Sequence, residues 1–218
     1  MSGVKNSRPR RPYQSPLRED SARRTRQAIV AAAGDLFVTR GYVGASLAQV
    51  ATVAGVARPT VFAAFGSKAA LLKEVLDQAL AGDDEPVPVA ERPWFAPVWH
   101  ATAPIAVLDA YAEVCVLIGS RAARLFETVR RAADDSAEAA ALWETLQNNR
   151  RIGASTIISR IETLGPLADD LDSDTATDIL WTFNDPAQYA ALVLQRGWPE
   201  ARFRRWLAAT MCRALLPG

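Results

Sequence analysis

The chain has 218 residues, half of them apolar and 22% charged, with a formal net charge of +1. That length and apolar content suffice for a real hydrophobic core and exclude a disordered tail or a disulfide-stapled miniature. Two cysteines, Cys115 and Cys212, are too few and too far apart for a disulfide framework or a metal cluster, so no metal and no cofactor is expected, and the setting is expected to be reducing and cytoplasmic. The most apolar stretch, Ile105 to Ile118, is interrupted by Asp109 and Glu113 and is too short to span a bilayer, so no membrane partner is expected. The near-zero charge is unevenly placed. Residues 1–80 hold 12 Lys and Arg against 5 Asp and Glu, a net of +7, whereas residues 81–218 hold 13 against 19, a net of −6. The first part is therefore suited to a polyanion and the second is not.

In chain order, residues 1–18 read as a flexible basic arm, with Arg8, Arg10, Arg11, three prolines and almost no apolar residues. A solvated tail is the plain alternative. From about Glu19 the spacing of Ile29, Ala32, Ala33, Leu36 and Phe37 predicts a helix that stops at Gly41. Ser46 has N-cap chemistry for a short second helix with Leu47, Val50, Ala51 and Ala54 on its apolar face. Gly55 makes a turn, and Pro59 suits the first turn of a third helix whose buried stripe is Val61, Phe62 and Phe65. Ser67 then caps a fourth helix through Leu71, Leu72, Val75 and Leu76. Two short helices joined by a glycine turn in a basic helical unit form a helix-turn-helix pattern, in which the second helix enters the major groove. Any helical protein can contain such a pair by chance.

Specificity comes from the residues themselves. The stretch "AIVAAAGDLFVTRGYVGASLAQVATVAGVARPTVFAAFGSKAALLKEVL" resembles, without a gap, the DNA-binding domain of the tetracycline-repressor-like (TetR) family of transcriptional regulators. The pieces that carry the resemblance are "LFVTRGY", the helix and turn from Ser46 to Val56, "PTVFAAF" and "SKAALL". It implies an all-α homodimer: an N-terminal three- to four-helix bundle with a helix-turn-helix, then a larger helical domain that binds a small molecule and dimerises. Repression of a palindromic DNA operator, released by ligand, is the implied function.

Carried over position by position, Ser46, Thr60 and Lys68 are expected on backbone phosphates, Arg58 on a base edge through its planar fork, and Pro59 against a thymine methyl. The sequence departs from the family pattern where a Tyr is usual: Phe62 has no phenolic donor, and Ala63 and Ala64 follow it. A recognition helix so poor in reading groups suggests that Arg8, Arg10 and Arg11, or Arg23, Arg24 and Arg26, supplement it on phosphates or in a minor groove.

Domain limits follow: 19–66 for the DNA-binding unit, 67–80 for a connecting helix, 81–101 for a linker and 102–218 for the larger domain. Pro86, Pro88, Pro93 and Pro97 exclude a continuous helix in the linker, where Trp94, Phe95, Val98 and Trp99 should fold back onto the body. Helices are predicted from Thr102 to Ile118, over Arg121–Arg131, from a capping box at Asp135 and Glu138 to Ile161, from Ser173 to Arg196 with a kink at Asp185 and Pro186, and from Pro199 to Leu216. The end of the chain resembles the family's dimerising helices, placing Tyr189, Leu192, Phe203, Trp206, Leu207 and Met211 at the dimer interface, although ordinary core packing explains the same stripe.

All six tryptophans follow residue 81. Tyr111, Cys115, Phe126, Trp143, Ile157 and Trp181, mid-helix on apolar faces, are the candidate lining of a pocket for a hydrophobic ligand, and His100 is a candidate to orient it. An enzyme is disfavoured by a single histidine and the lack of GxSxG, Walker, HExxH or metal-spaced motifs. A helical protein-interaction module, or a regulator without ligand control, is the other reading.

Overall fold

The computed structural model describes residues 16–217, in which helices joined by turns and loops form the fold, with no strand among the described residues. The expected arm therefore lies outside the described residues up to residue 15, and its last three residues already belong to the first helix. Four helices form the N-terminal unit: α1 (Pro16–Gly44), α2 (Leu47–Val53), α3 (Arg58–Phe65) and α4 (Lys68–Ala81). Helix α1 is broken rather than ended at Gly41, whose φ of 70° is open to glycine, and one further turn runs on to Gly44. Ile29, Ala33 and Phe37 on α1, Val61 on α3 and Leu71, Leu72 and Leu76 on α4 are almost wholly buried against one another.

Two short 3₁₀ turns, Val89–Glu91 and Pro93–Phe95, and the five-residue α5 (Ala96–His100) occupy the proline-rich stretch. It is pinned to the body rather than hanging between domains. Phe95 and Val98 are buried, and Arg92, 4% exposed, is held by Asp83 and by the carbonyls of Val87 and Glu85. His100 ends α5 on the surface.

The larger part contains α6 (Pro104–Ala132), α7 (Ala137–Glu162), α8 (Ser173–Phe183), α9 (Pro186–Tyr189), a π-helical turn over Ala190–Gln195, and α10 (Glu200–Leu215). The two helices expected on either side of Gly119 are one 29-residue helix. Nothing between Ile118 and Arg121 breaks it, and Gly119 instead lets the Tyr189 ring approach the α6 backbone. The cap of α7 is Ser136, whose side chain accepts from the Ala139 amide, one residue beyond the expected Asp135. The kink at Asn184 and Asp185 falls where the sequence placed it, with Asp185 capping α9 through the Ala187 amide.

Helix α6 joins two cores. Val107, Leu108, Ala112 and Val114 pack with α7, α8 and α10, whereas Ala122, Leu125, Phe126 and Val129 pack with α1 and α4. Thr128 extends the second contact by donating to the Phe37 carbonyl.

Candidate nucleic-acid interface and ligand cavity

The turn between α2 and α3 is built from local chemistry. Ser46 Oγ accepts from the Gln49 amide at 3.2 Å while Gln49 Oε1 accepts from the Ser46 amide at 3.0 Å, closing a capping box in front of α2. Gly55, at φ 67°, turns the chain, and the Val56 amide reaches back to the Ala51 carbonyl at 2.9 Å. The two helices then diverge by 112°, within the range of helix-turn-helix pairs. Val61 anchors α3 from below, and Arg58, Pro59, Thr60, Phe62 and Ala63 are left on the open face. Phe62 is 63% exposed, so it belongs to the surface and not to the buried stripe in which its spacing placed it. Arg58 and Pro59 occupy the first turn of α3, where free amides and the helix dipole favour an anion.

Two of the expected phosphate-binding cations are engaged inside the protein. Lys68 Nζ donates to the carbonyls of Tyr42 at 2.8 Å and Ala45 at 3.2 Å and sits 4.2 Å over the Tyr42 ring. It therefore clamps the segment that leads into α2, and burial pulls its pKa below the ordinary lysine value. Arg26 donates through Nη2 to Glu74 at 2.7 Å and through Nη1 to the Ala64 carbonyl at 3.0 Å, with its guanidinium 4.3 Å over Phe65. It ties α1 to the end of α3 and to α4. Arg23 and Arg24 remain exposed: Arg23 lies 3.9 Å from Asp84, and Arg24 makes one bond to the Asp20 carbonyl.

A cavity of about 700 Å³ opens between α4, the proline-rich stretch, α6, α7 and the α8–α9 kink. Four of the expected lining residues border it: Tyr111, Cys115, Phe126 and Ile157. Two do not. Trp143 packs edge-on against Phe126 at 6.5 Å, and Trp181 borders a separate shallow depression with Gln147, Arg151 and Asp178. Both stand mid-helix, but Trp143 packs behind Phe126 and Trp181 faces the neighbouring depression.

The polar groups of the cavity were not foreseen. Asn184 Nδ2 donates to the Tyr111 hydroxyl at 3.1 Å, and Asn184 Oδ1 accepts from Arg150 Nε at 3.1 Å. Arg150 continues to the Trp181 carbonyl at 2.7 Å and Asp185 at 3.1 Å. The network pins α7 to the kink. Burial pushes the Tyr111 hydroxyl far above its ordinary range and the Cys115 thiol up to about 12, so both are neutral. A signal existed in the polar run Gln147 to Arg151, which interrupts an otherwise apolar helix seam. Carboxylates from Glu74 to Glu85 border the other end of the cavity.

The expected dimer stripe is largely internal. Tyr189, Phe203, Leu207 and Met211 are 4% exposed or less because α9 packs on α6 and α10 packs on α6 and α8 within the chain, so these side chains have little surface to offer a partner. Leu192 and Trp206 are half-buried, with Trp206 meeting Trp198 edge-on at 6.1 Å.

No single described helix is long and apolar enough to cross a membrane; α2 and α3 qualify only as a bent pair, and that bend is the helix-turn-helix. Residues 29–75 match the model of the bacterial regulatory proteins, tetR family. No curated protein matches the sequence. Among solved structures, the fold is similar to that of NalD, the secondary repressor of the MexAB-OprM multidrug efflux pump in Pseudomonas aeruginosa, at 21% identity and a TM-score of 0.66 over 89% of this chain and 98% of that one. A TetR transcriptional regulator from Chloroflexus aurantiacus has a TM-score of 0.66 at 18% identity, over 90% and 98% of the two chains. A transcriptional-regulator fold from Saccharomonospora viridis, solved in complex with choline, has the same TM-score, identity and coverage. Residues 29–75 thus carry the helix-turn-helix unit that the tetR family of bacterial regulatory proteins shares, and the all-helical frame built on it is similar to the frames of these solved structures.

Proposed function

We propose that the chain is a transcriptional repressor that binds a palindromic DNA operator as a homodimer and is released when a small molecule with an apolar body enters the cavity. The observation that carries this reading is the capped pair α2 and α3, diverging by 112° with Arg58, Pro59 and Thr60 on its open face. Arg58 reads a base, Pro59 meets a thymine methyl, and Ser46 and Thr60 hold phosphates, with Arg23 and Arg24 adding long-range attraction. Phe62 and Ala63 contribute only apolar contact. Two heads need a fixed half-site spacing, which gives dimerisation its reason. In that dimer the outer faces of the π-helical turn and α10, including Leu192 and Trp206, are the available surface.

Helix α4 supports the link between ligand and DNA. Its first turn carries the Lys68 clamp and its last turns border the cavity, so a ligand that shifts α4 shifts the head. Choline in the Saccharomonospora viridis relative supports the idea that this fold takes a small organic molecule. Exposed Phe62 and Val53 favour a second reading, a protein-interaction module. Fluorescence anisotropy with DNA from upstream of the coding region, across salt concentrations, separates the two. A salt-steep, sequence-preferring association is expected, and no association even at low salt would overturn the repressor reading in favour of the module.

A further inference from the structure

The cavity is chemically lopsided. Its buried end presents rings: Phe95 lies 5.2 Å from Trp99 and 6.3 Å from Tyr111, and all three border the space. Its open end presents five carboxylates, Glu74, Asp77, Asp83, Asp84 and Glu85. Arg150, the sole basic residue of the lining among the described residues, is matched by Asp185 and bonded to Asn184 and Trp181. The cations that pair with the carboxylates, Arg26 with Glu74, Lys73 with Asp77, Arg92 with Asp83 and, at 3.9 Å, Arg23 with Asp84, are not part of the lining, and Glu85 has no such pair among the described residues. A molecule inside therefore meets aromatic rings and acid side chains, a lining that favours a cation over an anion.

We propose that the cavity takes a small organic cation with an apolar body, and that its charged head competes with Arg26 for Glu74. This rests on the reading of the cavity as the ligand site. Glu74 is the shared group: its Oε2 accepts from Arg26 at 2.7 Å, its Oε1 from Gln78 at 2.9 Å, and it is 28% exposed at the cavity edge. The other bond of Arg26 goes to the Ala64 carbonyl in the last turn of the recognition helix. One side chain thus connects the cavity wall to the DNA-reading element, and a ligand cation that occupies Glu74 leaves Arg26 attached to α3 alone.

The test is equilibrium dialysis of the full chain against three matched probes: (1-naphthylmethyl)trimethylammonium, its neutral isostere 1-neopentylnaphthalene, and 1-naphthylmethanesulfonate. The ammonium should bind at least about five-fold tighter than the isostere, with the sulfonate weakest. Glu74→Gln should cut the ammonium's advantage over the isostere, the rings and the other carboxylates keeping part of it, and an unchanged advantage overturns the competition for Glu74. Arg26→Gln should do the reverse and tighten the ammonium, because Glu74 is then free. Both variants should bind the isostere as the wild type does, which reports an intact fold, and the ammonium-to-isostere ratio of the wild type stands without either variant. An isostere that binds as well as the ammonium overturns the proposal. So does weaker ammonium binding in an Arg26→Gln chain that still holds the isostere, or failure of all three probes. DNA association measured on the same preparations tests the repressor reading separately, since its absence leaves the probe ratios unaffected.

Discussion

Replacing Lys68 by Met keeps the aliphatic stem and removes the ammonium. Two bonds from a charged donor are lost, to the carbonyls of Tyr42 and Ala45, along with the contact over the Tyr42 ring. Each such bond is worth about 1.5 to 3 kcal/mol at full strength, and the ring contact about 0.5 to 1 kcal/mol. Lys68 is only half-buried and the Tyr42 carbonyl can regain water, which discounts the total. Ala45 is 1% exposed, so its carbonyl recovers little solvent. A loss of about 2 to 3 kcal/mol follows, or a melting point lower by about 5 to 10 °C in a chain of this size. Thermal unfolding by circular dichroism measures it, and DNA titrations at several salt concentrations separate clamp from phosphate contact. If Lys68 served phosphate alone, melting would be unchanged and the log–log salt slope of a dimer would fall by roughly 1.8, two phosphates at about 0.9 each. That pattern refutes the clamp.

Three further outcomes are expected. Arg58→Ala should weaken operator binding by about 1 to 3 kcal/mol and relax one base preference per half-site, with melting unchanged because Arg58 is exposed; equal loss on all sequences in anisotropy titrations would remove its base-reading role. Gly119→Ala would put a methyl 2.6 Å from the Tyr189 ring, which burial and its bond to Glu200 hold in place, and should cost about 1 to 3 kcal/mol in urea unfolding, whereas a midpoint equal to wild type would show that the helix and ring move apart freely. With its pKa raised to about 12, Cys115 is thiol at neutral pH, so in a Cys212→Ser background alkylation by iodoacetamide should climb about ten-fold per pH unit from pH 7 to 9.5, and a plateau near pH 9 would contradict the burial.

What the sequence disclosed was what short-range chemistry decides. The Ser46 cap, the Gly55 turn, Pro59 in the first turn of α3 and the kink at Asp185 all depend on residues within four positions of each other, and each is found where the spacing put it. Where two local signals competed, the reading slipped by a residue, as with Ser136 over Asp135. Charge was legible as composition but not as partnership. Arg26 and Glu74 are 48 positions apart, and no pattern within either helix announces their bond. The cavity divides in the same way. Tyr111, Cys115, Phe126 and Ile157 showed themselves by apolar mid-helix position, whereas the carboxylates facing them come from α4 and the stretch after it, which only the fold brings to the same space. The stripe Phe203, Leu207 and Met211 was correctly apolar, yet periodicity records that a face is covered and not what covers it.

Helix α6 has a practical consequence. Because Ala122, Leu125, Phe126 and Val129 complete the core under α1 and α4, residues 16–81 lack a wall of their own interior. A reading head excised after α4 should behave as a loosely packed fragment, and a graft onto a foreign sensor must carry the Arg121–Ala132 half of α6 with it. The natural seam for exchanging modules in this chain thus runs through the middle of a helix rather than through the proline-rich stretch that composition marks as the joint.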